Sequence, residues 1–178
     1  MIGTEDRQAL PGGYTLDVVL GRVGPSLRDE IVGVWVSENV LAATEARRRA
    51  GELVAVARAA DGEIAGVATA FVAPLADAGP RYWFYRTFVR PAHRTAWAIV
   101  PSLFEQAVEA LRAHPDPDPP AGIAAAVENP ELTRPGARAE IARAGLHLIG
   151  LDAAGRDVWC LRFDGTVQQR PPGMREPA

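Results

Sequence analysis

The segment Arg81–Val89 (RYWFYRTFV) constrains the fold more than any other stretch of this chain. It is rich in aromatic, strand-favouring residues and is closed by Pro91, so it reads as a strand. An amphipathic helix pattern follows, with Trp97, Val100, Leu103, Phe104, Ala107, Val108 and Leu111 at helical spacing. Pro101 fits that helix only in or near its first turn. Ile123–Val127 then reads as the next strand. A helix joining two strands of one sheet is a crossover, and a crossover makes those strands parallel.

The flanking pattern extends this unit in both directions. Tyr14–Leu20 reads as a strand. A helix then opens at Pro25-Ser26, with Ser26 as cap and Asp29 and Glu30 near its positive end. Leu27, Ile31, Val34, Trp35, Leu41 and Ala42 mark its apolar face, and Gly51 ends it. Arg47, Arg48 and Arg49 suit the negative end of the helix dipole, or else meet a partner. Leu53–Ala59 and Ile64–Phe71 read as strands around the hairpin signal Asp61-Gly62. A short helix over Ala137–Ala144 stops at Gly145, and Leu146–Leu151 with Asp157–Phe163 form a closing hairpin. The order is β-α-β-β-β-α-β-α-β-β, which predicts an α/β fold: a mixed, mostly antiparallel sheet with helices on both faces.

A length of 178 residues suits a single domain, expected over residues 13–163, with a loose leader at 1–12 and a loose tail at 164–178. Neither end carries apolar periodicity. The net charge of −3 argues against a nucleic-acid binder. The lone Cys160 excludes an intrachain disulfide and a zinc site built on several cysteines, and the three histidines have no metal-ligand spacing. No apolar run approaches the ~20 residues of a membrane helix, and no signal segment is visible, so the default expectation is a cytoplasmic chain without membrane contact.

Three local motifs carry a resemblance. Phe88-Val89-Arg90-Pro91-Ala92-His93-Arg94 resembles the strand end and the start of the pyrophosphate loop of the GCN5-related N-acetyltransferases. Val127-Glu128-Asn129 resembles the end of that family's next strand. Ala142-Arg143-Ala144-Gly145-Leu146 resembles its corner before the final hairpin. With the element order, the resemblance spans roughly residues 14–163.

The resemblance implies acetyl-CoA or another acyl-CoA as co-substrate. The acceptor would be an amine on a small molecule or a protein amino group, and a homodimer stays open. Phe88 and Val89 would bracket the pantetheine arm with backbone groups, and Asn129 would sit at its far strand. Arg94 and the amides of Thr95, Ala96, Trp97, Ala98 and Ile99 would hold the phosphates, because a helix start favours anions. Arg86, Arg90 and His93 add charge nearby.

The departures are specific. Counted from Arg94, the two glycine positions of the family's loop hold Trp97 and Ile99, where a side chain hinders close approach of the backbone to phosphate. Ala96 and Ala98 are small enough that a shifted register would restore part of the access. Ile141 occupies the place of the family's tyrosine acid and cannot donate a proton. Arg81–Val89 holds no carboxylate. Glu128 is therefore the candidate base, an anchor for a substrate ammonium, or a plain solvent-facing residue. Tyr82 and Tyr85 offer hydroxyls as acids, or else pack in the core. A non-catalytic binding or scaffold module with a remodelled loop is the alternative to an acyltransferase.

Overall fold

The computed structural model describes residues 7–76 and 79–177. It contains eight strands in the ladder order β1-β2-β3-β4-β5-β6-β8-β7, mostly antiparallel with one parallel pair, and four α-helices. The fold is α/β, as the element order predicts. Residues up to Ala70 together with Thr87–Ala113 form one compact unit. Phe71–Arg86 together with residues from His114 onward form a second. Strands β4 (Ile64–Pro74) and β5 (Arg81–Val89) run through both.

In the first unit, β1 (Arg7–Leu10), β2 (Tyr14–Val18) and β3 (Leu53–Arg58) pair antiparallel in sequence order, and β3 pairs with β4. Gly62 takes φ +87° in the β3–β4 turn, a conformation a Cβ penalises, as the hairpin signal requires. α1 (Pro25–Ser37) and α2 (Ala43–Arg49) bury Ile31, Trp35 and Ala46 against Leu53, Val56, Ile64 and Val67. Full burial of one such large apolar side chain contributes about 1.5–3 kcal/mol. α3 (Ile99–Ala113) buries Ile99, Leu103, Ala107 and Leu111, one residue per turn on a single face, and Pro101 stands in its first turn.

Three expectations are corrected here. β1 occupies part of the stretch expected to be a loose leader. It has no apolar periodicity because it is an outer strand with only Leu10 buried, and Arg7 is held to Asp17 at 2.9 Å. Residues 1–6 lie outside the described residues. α1 starts two residues earlier than a Ser26 cap implies, on Pro25 with Gly24 as its cap. The expected single helix over 26–51 is two helices. Asn39 takes φ 54°, a left-handed turn that Asn tolerates, and Val40 and Leu41 donate to the Trp35 carbonyl from beyond the break. Of the three arginines in α2, Arg48 and Arg49 pair with Glu45, and Arg48 also pairs with Glu52.

In the second unit, β5 pairs parallel with β6 (Gly122–Ala126), which pairs antiparallel with β8 (Asp157–Arg162), and β8 pairs with β7 (His147–Leu151). Tyr82, Ala124, Ile149, Val158 and Cys160 form its core, with Leu75, Phe84 and Met174 packed on it. A Cβ at Gly122 would run into the Leu161 carbonyl, which explains a glycine inside β6. α4 (Pro135–Arg143) is tied to β8 by Arg138, whose guanidinium holds the buried Asp157 carboxylate through bonds of 2.8 and 2.9 Å.

The tail is also more ordered than its composition predicts. Asp164 pairs with Arg162 and accepts from the Thr166 amide. The Tyr82 hydroxyl donates to Gln168. Met174 packs over Gly150, and Arg175 exchanges two backbone bonds with Leu151. Irregular contacts of this kind leave no period for sequence analysis to detect.

Removing one partner of a buried charge pair strands the other charge. Arg138→Ala is expected to lower unfolding stability by about 3 kcal/mol, read by urea denaturation. A loss below about 0.5 kcal/mol would show that Asp157 does not depend on this pair.

Candidate functional site

The parallel pairing that β5 makes with β6 is short. Its registers are Trp83↔Ile123 and Phe84↔Ala124, and no further pair joins the two strands among the described residues. β6 nevertheless stays paired with β8 through Ala126, and the Val127 amide still donates to Asp157. The parallel registers thus end at Phe84↔Ala124, while β5 runs on to Val89 and β6 to Ala126.

In the first unit, β5 ends at Val89 and its path is fixed at once. The Arg90 amide donates to the Ala65 carbonyl at 2.9 Å, and Pro91–His93 make a single 3₁₀ turn. Tyr14 and His93 share a hydrogen bond of 3.1 Å and meet edge to face. Phe88 packs on the core of this unit.

The candidate cations separate by their partners. Arg90 is consumed by Glu38 at 2.8 Å and Glu63 at 2.9 Å. Arg86 lies over the Phe71 ring at 4.3 Å from its centre. Arg94 is exposed, donates through Nε to the Val89 carbonyl at 3.3 Å, and pairs with no carboxylate among the described residues. It is the cation of this segment that stays available to an anion.

The amide cradle expected over Thr95–Ile99 is only partly present. The Ala96 amide donates to His93 and the Ile99 amide to Ala96, and Pro101 has none to give. Ile99 is buried and its Cγ2 lies close to Gly66, so this side chain faces the core. Trp97, by contrast, is 78% exposed. A shallow cavity of about 200 Å³ lies beside it, lined by Pro11, Gly12, Tyr14, Ala96, Trp97 and Ala98.

In the second unit, Tyr85 is buried. The Glu128 side chain is 67% exposed and pairs with Arg156 at 3.2 Å, which also holds Asp152 at 2.7 Å. The solvent-facing reading of Glu128 is the one its surroundings match. The Asn129 side chain accepts from the Glu131 amide at 3.0 Å and caps the 3₁₀ turn Pro130–Thr133. That commits it to the turn.

Solved structures share this architecture. The GNAT domain of S. lividans PAT matches at 13% identity and a TM-score of 0.56, covering 92% of this chain and 100% of that one. The ribosomal-protein-S5-alanine acetyltransferase from Vibrio fischeri matches at 10% identity and a TM-score of 0.56, covering 90% and 99%. This chain has the fold of the GCN5-related N-acetyltransferases. An acetyltransferase of the GNAT family from Listeria monocytogenes 4b F2365 agrees, at 14% identity and a TM-score of 0.53 over 88% and 99% of the two chains. No family model matches the sequence, and no curated protein matches it. No helix among the described residues is long and apolar enough to cross a membrane, and no cluster of metal-ligating side chains occurs among them.

One polar cluster escaped sequence analysis. Tyr82, fully buried, donates to Gln168 and receives Arg162 at 3.0 Å. Burial raises the Tyr82 hydroxyl above its ordinary range. Cys160 beside it is pushed up to about 11, chiefly by burial. It is therefore a neutral core thiol rather than a nucleophile. Because the folded state disfavours the thiolate, this thiol's contribution to stability is complete below pH 9 and is lost as pH rises towards 11. Between pH 8.5 and 11 the wild type is expected to lose on the order of 2 kcal/mol more than Cys160→Ala in denaturant titrations. Equal losses would contradict this environment for Cys160.

Proposed function

We propose that the chain is an acyl-CoA-dependent N-acyltransferase, with acetyl-CoA as donor and an amine of a small molecule or protein as acceptor. The observation that carries this reading is the parallel β5–β6 pairing that stops after two registers, in an acetyltransferase fold. The main chain of β5 and β6 at the end of their parallel pairing, Phe84↔Ala124, would receive the pantetheine arm. Arg94 would meet the phosphates, aided by amides of Thr95–Ile99 other than those of Ala96 and Ile99. The phosphate contact thus shifts from a glycine-lined backbone cradle towards a side chain.

In the reaction, the nitrogen lone pair of a neutral amine attacks the thioester carbonyl. The C–N bond forms and the C–S bond breaks. Sulfur leaves with the electron pair and takes a proton, while the amine proton passes to solvent. Alignment of the two reactants would supply most of the acceleration. β5 contributes no carboxylate, and Glu128 is engaged by Arg156. That engagement, with Ile141 in the place of the family's acid, favours the second reading: a non-catalytic module that keeps the fold.

Thermal melting with saturating acetyl-CoA tests the proposal. A ligand at ~100 times its Kd adds roughly 2.7 kcal/mol. The expected outcome is a clear rise in Tm that Arg94→Ala largely abolishes. No shift with acetyl-CoA, propionyl-CoA or longer acyl-CoA overturns it. A shift without acyl transfer to any amine would select the second reading.

A further inference from the structure

Trp97 is out of place for a residue that only packs. The other three tryptophans, Trp35, Trp83 and Trp159, are buried, whereas Trp97 is 78% exposed. Leaving so large an apolar ring in water forfeits the burial that normally stabilises it. Its surroundings are not loose. Gly12 takes φ +78°, and a Cβ there would crowd the Tyr14 ring at 3.2 Å. Tyr14 is in turn joined to His93, four residues before Trp97. The flat ring thus borders a shallow cavity walled by Pro11, Gly12 and Tyr14, and Arg94, which pairs with no carboxylate among the described residues, lies three residues before it.

A ligand suited to this surface has a flat polarisable ring next to an anion. An indole face stacks any nucleobase, and a guanidinium nearby adds attraction for phosphate. We propose that Trp97 is the stacking platform for the adenine of the acyl-CoA, with Arg94 on its phosphates. This inference rests on the acyl-CoA reading above and assigns its nucleotide end. The bulky residue at the loop then serves a purpose: what the lost glycine took from the backbone cradle, aromatic stacking returns.

The test uses the full chain and three ligands: acetyl-CoA, adenosine 3′,5′-bisphosphate, and acetyl-pantetheine, which lacks the nucleotide. Tryptophan fluorescence and melting shifts are read for the wild type, Trp97→Ala and Trp97→Phe. Acetyl-CoA and the bisphosphate are expected to quench wild-type fluorescence, and Trp97→Phe to remove that quench while keeping most of the affinity. Trp97→Ala should weaken acetyl-CoA roughly tenfold or more and leave acetyl-pantetheine unchanged. If Trp97→Ala binds acetyl-CoA as tightly as the wild type, the stacking assignment is wrong while the acyl-CoA reading stands. If acetyl-pantetheine binds but the bisphosphate does not, the nucleotide end lies elsewhere and the assignment again fails. If the wild type binds none of the three, both fall together. The exposure of Trp97 means that the variants lose no core contact, so a null result is not a folding artefact.

Discussion

Everything proposed for this chain depends on how two parallel strands stop pairing. A parallel pair needs a crossover, and α3 is that crossover between β5 and β6. Parallel ladders in α/β folds usually run the length of their strands. Here the ladder ends at Phe84↔Ala124 while β6 keeps its antiparallel bonds to β8. This is the feature on which the acyl-CoA reading turns, and it follows from the main chain rather than from any one side chain.

Charge in the chain is largely spent on structure. Arg58 holds Glu30, Arg138 holds Asp157, Arg156 holds Asp152 and Glu128, and Arg90 holds Glu38 and Glu63. The exposed pairs among these contribute little to stability individually, unlike the pair that holds the buried Asp157. Their functional consequence is larger, because each paired arginine is less available to a phosphate and a paired carboxylate is a poorer base. Glu128 and Arg90 are engaged in this way, whereas Arg94 pairs with no carboxylate among the described residues.

The elements were legible where periodicity is strong. The aromatic strand Arg81–Val89, the apolar face of α3 and the Asp61-Gly62 turn all appear at their expected places. Two of the misses share one cause: they depend on distant partners. β1 reads as polar leader because its bonds come from β2, and the tail is held by Tyr82 and Leu151, far away in sequence. The break in the first helix turns on a single left-handed residue, Asn39, inside an otherwise helical pattern. In the candidate site, sequence analysis singled out Trp97 and Arg94, and both are exposed in the structure. It could not see that Ala96 and Ile99 spend their amides on turns, or that Asn129 caps one.

Hydrogen–deuterium exchange with saturating acetyl-CoA tests the central claim most directly. Peptides covering Tyr85–Val100 should exchange more slowly with ligand, because the strand edge and the loop amides gain partners. The helices α1 and α2 should be unchanged beyond any global stabilisation. Ligand-induced protection confined to other elements, with Tyr85–Val100 unaffected, would contradict the account.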